Sequence, residues 1–414
     1  MGRGGTGRTM RGWAVLLALC AAATGGAGCA PRRPAPVILI GLDAFRWDFR
    51  SLTDTPALDR IADGGVVAEW MVPVFPTKTF PSHYSMATGL YPEHHGIVAN
   101  TMFDPELDAW FRLSDRNAVM DGRWWEGEPI WVTAAKQGLE TAAYFWPGTE
   151  AAIQGIRPGR WKPYVHTTPN DIRVDTVLSW LDLPPDERPS LITMYFADVD
   201  DATHAWGTEA PETRAAIREV DRAVGRLLAG LEARGLLGRV NLVIVSDHGM
   251  ADVSRDRVVF LDDFVDPASV RVIDPSPLAS ILPEPGDEDR VYEALAGRSP
   301  HLAVYRRAET PERWHFRDHR RIQPLQALAD DGWSISTRSY FDAHPQAYRG
   351  ATHGYDNALP SMRATFLAAG PAFRRGVTVP AFQSIHVYAL LCELLGLTPA
   401  ANDGSRDSVL GMLR

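Results

Sequence analysis

Cysteine is scarce, with three residues in 414. So few thiols cannot build a disulfide framework, and no structural disulfide is expected. A cationic surplus is also lacking: 42 Lys and Arg stand against 51 Asp and Glu, a formal net charge of −9. That argues against broad nucleic-acid binding through a basic surface, and no stable nucleic-acid complex is expected. It leaves room for a small positive pocket, which bound metal could supply. There is no internal repeat, and no low-complexity tract beyond the leader. What is present is ordinary for a soluble globular protein: 45% hydrophobic and 22% charged residues, on a chain long enough for a large core in one or two domains.

Residues 1–29 read as a targeting leader. Arg3, Arg8 and Arg11 precede the apolar run Trp13 to Ala23, which is too short for a comfortable membrane span, and small residues follow. Gly26-Ala27-Gly28-Cys29 resembles a bacterial lipobox, although its first position is usually a larger aliphatic residue. Two outcomes stay open, acylation of Cys29 with membrane attachment or plain cleavage nearby. Both export the chain, as a periplasmic protein or a membrane-anchored lipoprotein. Cleavage at Cys29 would leave Cys29 and Cys392, and Cys392, inside the apolar run Tyr388 to Leu395, is expected as a buried thiol.

After a Pro/Arg linker, Val37 to Gly41 is continuously apolar, as a parallel strand buried on both faces requires. Asn241 to Val245 repeats the pattern, and Ala142 to Trp146, Ser190 to Phe196 and Ala364 to Ala369 read as further strands. Between them, Thr55 to Gly64, Phe80 to Leu90, Ile130 to Gln137, Thr168 to Leu181, Glu212 to Arg234 and Ser384 to Leu395 read as helices. The alternation predicts an α/β fold with a doubly wound central sheet and helices on both faces. Short apolar segments separated by Pro-, Asp- and Arg-rich loops predict a smaller α+β insertion over residues 252–345. The catalytic core then comprises residues 30–251 and 346–414.

The chemistry gathers at predicted strand ends, where ligands bind in such sheets. Asp43 follows the first strand; Asp198, Asp200, Asp201 and His204 follow the strand ending at Phe196; Asp247 and His248 follow Val245. Asp200 and His204 share a face if their segment is helical, and Asp201 with His204 serves almost as well. Mixed carboxylate and imidazole, completed by Asp43 and His353, suits Zn²⁺ better than Mg²⁺. Thr79 stands at or just before a helix N-terminus, where free N–H groups and the dipole favour a phosphate and an ionised hydroxyl. For a lone Thr the ordinary role is an N-cap, and the surrounding metal-ligand residue types change that reading. His83 is expected to pack or hydrogen-bond, and His94-His95 to lie in a solvated loop.

The stretch around Thr79, Tyr195 to His204, Ser246 to Met250, Thr352 to Asn357, Glu128 to Val132 and Tyr144 to Gly148 resemble, in order, the nucleotide pyrophosphatase/phosphodiesterase family of the alkaline phosphatase superfamily. The resemblance runs from about Val37 to Ser405 and is to the compact bacterial catalytic unit. Ser82 and Thr203 depart from the family's usual Asn and Gly, and neither is a ligand. The resemblance implies two zinc ions, one on Asp200, His204 and His353, the other on Asp43, Asp247 and His248 with the nucleophile Thr79. It also chooses Asp200 over Asp201. It makes Asn100 a phosphate ligand, alongside the Phe80 backbone N–H, and gives Phe80, Leu113, Tyr164 and Tyr195 a base pocket.

The expected reaction is zinc-dependent hydrolysis of nucleotide phosphodiester or pyrophosphate bonds to nucleoside 5′-monophosphates through a phosphothreonine. No arginine stands near Thr79 in the chain, from Arg60 to Arg112, which favours diesters over more highly charged monoesters. The alternatives are a phosphomonoesterase, phosphonate hydrolase or lipid-headgroup phosphodiesterase on the same scaffold, or a non-catalytic zinc-binding surface lipoprotein.

Overall fold

A computed structural model describes residues 34–414 together with residues 1, 2, 4, 5 and 7. The leader and Cys29 therefore lie outside the described residues. No described helix is long and apolar enough to cross a membrane.

Residues 34–414 form one compact unit built on an eight-stranded sheet. In chain order its strands are β1 (Val37–Leu42), β2 (Val66–Ala68), β3 (Thr141–Tyr144), β4 (Arg160–Lys162), β5 (Leu191–Phe196), β6 (Asn241–Val245), β7 (Phe366–Ala369) and β8 (Val377–Val379). Their spatial order is β8-β2-β7-β6-β1-β5-β3-β4, and β7 alone is antiparallel to its neighbours. Along β1, Val37 and Leu39 face one core and Ile38, Ile40 and Leu42 the other, so the continuous apolar run serves both faces. On the first face lie α2 (Thr79–Thr88), α3 (Ile130–Lys136) and α7 (His386–Leu395). On the second lie α1 (Pro56–Gly64), α4 (Asn170–Leu181) and α6 (Pro211–Ala233), while α5 (Asp198–Trp206) caps the end of β5.

Register explains why the site can form. Gly41 pairs with both Tyr195 and Val245, so β1, β5 and β6 leave the sheet at one level. Asp43, Asp200 and Asp247 follow from those exits. Gly41 also admits α2: a Cβ there would stand 2.8 Å from His83 Nε2 and 3.0 Å from the Trp146 ring.

Several expected elements are shorter than the apolar runs implied. β3 stops at Tyr144 because Phe145 takes a left-handed φ of 63° and turns the chain. β7 begins at Phe366, since Ala364 makes isolated bridges to Arg46 and Met71 instead. His95 is not solvated: it closes a four-residue helix, is fully buried, and lies 2.8 Å from Ser85 Oγ. Cys392 is buried as expected, and burial pushes its thiol up to about 12.

Within residues 252–345 the chain builds a second, antiparallel sheet of four strands, in the order Val270–Asp274, Leu278–Pro283, Leu325–Ala329, Leu302–Arg306. One side packs with helix Glu288–Leu295; the other sends Leu278 and Leu328 into the first-face core. Residues 307–324, between its last two strands in chain order, return to the catalytic core.

Candidate active site

Thr79 is the first residue of α2, with Lys78 at the cap position, so its hydroxyl is not spent on capping. It is mostly buried, and its Oγ1 lies 3.4 Å from His248 Nε2. Three imidazoles face the same basin, and backbone carbonyls set their tautomers. His248 Nδ1 lies 3.0 Å from Gly249 O, His204 Nδ1 2.9 Å from Ala351 O, and His353 Nδ1 2.8 Å from Thr77 O. A carbonyl can only accept, so each Nδ1 carries the proton and each Nε2 lone pair faces inward, as metal ligation requires.

The carboxylates complete the basin. Asp200 Oδ1 is 3.4 Å from His204 Nε2 and 3.9 Å from His353 Nε2, because α5 places Asp200 and His204 one turn apart. Asp43 Oδ1 is 3.5 Å, and Asp247 Oδ2 3.1 Å, from His248 Nε2. Among the described residues, two groups could hold a metal ion: Asp200 with His204 and His353, and Asp43 with Asp200 and His248. Asp200 thus belongs to both groups, where the sequence kept two separate ligand sets. Asp247 gives Oδ1 to the Ala44 N–H at 3.0 Å and turns Oδ2 toward His248 and His83.

The donor set fits a divalent cation. Asp43 Oδ1, Asp200 Oδ1 and Asp247 Oδ2 are buried without a hydrogen-bond donor. Burial, with Asp247 and Asp200 beside it, raises the Asp43 carboxyl well above its usual range. Burial pushes Asp200 up to about 7, with His248 pulling down and Asp247 and Asp201 adding to the rise. Asp43 and Asp200 resist ionisation for want of positive charge, which a bound cation supplies.

A cavity of about 340 Å³ opens beside Thr79. It is lined by Phe80, Asn100, Leu113, Tyr164 and Tyr195, all expected from the sequence. Several of them are already engaged, Tyr164 through its hydroxyl with His166 Nδ1 at 2.8 Å. The Phe80 N–H donates to Asn100 Oδ1 at 3.0 Å, so this N–H holds Asn100 in place where it was expected to face a phosphate. The Tyr195 hydroxyl donates to Asp43 Oδ2, leaving its ring as the surface offered to the cavity. His83 braces the floor, with Nδ1 3.0 Å from Thr79 O and its ring edge-on to Trp146 and Tyr195.

The sequence missed Arg116, Glu150 and His166, which also line this cavity. Arg116 opens a short helix, Arg116–Met120, whose placement against this cavity no local pattern marks. Its guanidinium is paired with Glu150.

A hydroxyl at a helix N-terminus facing carboxylate–imidazole groups, on a doubly wound sheet, defines a hydrolase of the alkaline-phosphatase-like class. The chain belongs to the type I phosphodiesterase / nucleotide pyrophosphatase family, whose model matches residues 37–356. It is 39% identical over 378 residues to ectonucleotide pyrophosphatase/phosphodiesterase family member 5 of Homo sapiens, covering 91% of this chain and 78% of that protein. It is 37% identical to a venom phosphodiesterase of Naja atra, covering 92% of this chain but only 46% of that protein. Among solved structures it is similar to an inactive variant of murine family member 5 in complex with AMP, with a TM-score of 0.87, 39% identity, and coverage of 92% and 100%. Family membership places the chain among the phosphodiesterases and nucleotide pyrophosphatases, and the two candidate groups are where a metal ion could be held.

Proposed function

We propose that the chain is an exported enzyme that uses two Zn²⁺ to hydrolyse nucleotide phosphodiester or pyrophosphate bonds, releasing nucleoside 5′-monophosphates. The observation that carries this is Thr79 at the start of α2, facing overlapping carboxylate–imidazole groups whose buried oxygens lack donors. Zinc bound by Asp200, His204 and His353, and by Asp43, Asp247 and His248, would lower the pKa of the Thr79 hydroxyl and offset phosphoryl charge.

Thr79 Oγ1 attacks phosphorus, and its bond to the leaving oxygen breaks with the electron pair departing on that oxygen. A phosphothreonine ester remains. Water then attacks phosphorus, the bond to Oγ1 breaks, and the nucleoside 5′-monophosphate leaves. Asn100, held by the Phe80 N–H, keeps its NH₂ group for a non-bridging oxygen. Phe80, Leu113, Tyr164 and Tyr195 offer apolar and ring surface to a base. The AMP complex of murine family member 5 supports a nucleotide ligand. Diesters are favoured because Arg116 is neutralised by Glu150, so the wall has no unpaired guanidinium to clamp a monoester's extra charge. Export rests on the leader, with Cys29 as an attachment point if acylated.

Zinc-loaded protein should be given matched chromogenic diester and monoester substrates and a panel of nucleotides, with products identified. A higher kcat/KM for the diester is expected. Phe80→Ala should cost nucleotide diesters about 1–3 kcal/mol in transition-state binding and spare a diester lacking a base. Preferred monoester turnover would move the chain to the phosphomonoesterase reading. Equal losses on both diesters would remove the base pocket.

A further inference from the structure

Lys78, one residue before Thr79, is buried, and its ammonium is paired with Asp274. Asp274 lies in the second sheet, 196 residues away in the chain, and it too is buried. Neither group has a part in the chemistry above. A buried ion pair is a poor device for stability, because desolvating both charges offsets their attraction. Its placement therefore needs another reason.

The backbone shows how the pair is aimed. The strand Val270–Asp274 runs in regular register with Leu278–Pro283 as far as Val272, then shifts between Val272 and Asp274. Such a bulge re-aims the side chain beside it. Here the irregularity ends on the residue that reaches Lys78.

The same strap is held from its other side. The Thr77 carbonyl accepts from His353 Nδ1, and Thr77 Oγ1 accepts from the Gly354 N–H at 3.0 Å while donating to Tyr355 O at 2.9 Å. Gly354, at φ 109°, leaves no room: a Cβ would stand 2.9 Å from Lys78 Cε and 3.0 Å from Pro277 Cδ, in the turn between the first two strands of the second sheet. The residue before Thr79, the loop carrying His353 and the edge of the second sheet therefore interlock around one side chain.

We propose that the second sheet is a working part of the catalytic site: Asp274, acting through Lys78, is a positioning residue that fixes Thr79 against the phosphorus it attacks. The inference rests on Thr79 being the nucleophile. Lys78 tethers the first turn of α2, and a shift of about 1 Å in a reacting group can cost on the order of 100-fold in rate.

The test removes the charges in two ways and follows chromogenic diester turnover on zinc-loaded protein. Asp274→Asn alone leaves a buried ammonium unpaired and could unfold the chain. The charge-free pair Lys78→Met with Asp274→Leu avoids this, and should fold with a Tm at or above the parent's. It should lose about 10- to 100-fold in kcat with KM within about twofold, and trapped phosphothreonine should form correspondingly slowly. A pair that serves only to hold the fold would instead change Tm and leave kcat alone. The proposal is overturned if the folded, charge-free pair turns over at the parental kcat. Parallel Thr79→Ala separates the two failures: residual activity there refutes the nucleophile, and with it this role for Asp274. An inert Thr79→Ala beside a fully active charge-free pair refutes the positioning role alone.

Discussion

The two sheets of this molecule divide the work unequally. The central sheet is mostly parallel, buried on both faces, and places Asp43, Asp200 and Asp247 at one rim because β1, β5 and β6 end in register. The second sheet is antiparallel and contributes no residue to either candidate metal group. Beside the apolar Leu278 and Leu328, it meets the core through a buried polar contact, Asp274 on Lys78, and the segment 307–324 between its strands adds Arg321 on Asp104, Gly96 and Trp124. Parallel strand ends converge without help, so they gather reactive groups. The inserted sheet meets the rim through Asp274, which holds the long Lys78 side chain of the core, so it fixes positions.

The largest effect belongs to the central sheet. Thr79→Ala should keep the fold and the metal and lose activity by about a thousandfold or more, since the ester cannot form. Near-normal turnover of the folded, zinc-loaded variant would strip the rim of its nucleophile.

Next comes the sharing of Asp200. If that carboxylate serves both groups, Asp200→Ala should lower the bound zinc at both sites, while His353→Ala should weaken one site selectively. Metal content at matched free zinc decides. Selective loss in Asp200→Ala, equal to that in His353→Ala, would restore two separate ligand sets.

Much of the rim was legible in the sequence for a physical reason. Strands buried on both faces must be apolar throughout, so β1 and β6 stand out, and the polar residues just past them are displayed at their ends. Thr79 could be placed by Pro81 and the helix that follows. The partners that hold the rim could not be read. Lys78 meets Asp274 across 196 residues, and Arg116, at the start of a short helix, meets Glu150 only through tertiary packing. His95 was misread because polar residues near Gly and Pro usually mark solvent, whereas here the seam between the two regions closes over it.

That seam supplies the next prediction. Arg321 is fully buried and donates to Asp104 Oδ2 at 2.6 Å and to the carbonyls of Gly96 and Trp124 at 2.7 Å each. Arg321→Met should cost roughly 3 kcal/mol or more of folding stability, since the Gly96 and Trp124 carbonyls lose this donor and Asp104 keeps one guanidinium, Arg320, beside the backbone N–H groups of Glu106 and Leu107. Denaturant unfolding measures it. A loss below about 1 kcal/mol would mean that the two regions are joined by apolar packing alone.

The smallest effect concerns acid, and its sign follows from His95. Burial, with His319 of the second region beside it, lowers this imidazole from 6.5 to about 3. In the unfolded chain it binds a proton below about pH 6.5. Between those values the unfolded state holds more protons than the folded one, so stability rises with pH. The contribution is fully present above about 6.5 and is lost as pH falls toward 3. At about 1.4 kcal/mol per unit, going from pH 6.5 to 5 should remove about 2 kcal/mol. Other groups titrate in this range, so the parent must be compared with His95→Gln, which cannot take up the proton. His95→Gln should start less stable at pH 7, because its contacts with Ser85 and the Ile97 N–H are altered. It should then lose about 2 kcal/mol less than the parent on acidification to pH 5. Parallel curves would mean that protonated His95 is accommodated in the fold, and that the seam between the two regions opens to water more readily than its packing implies.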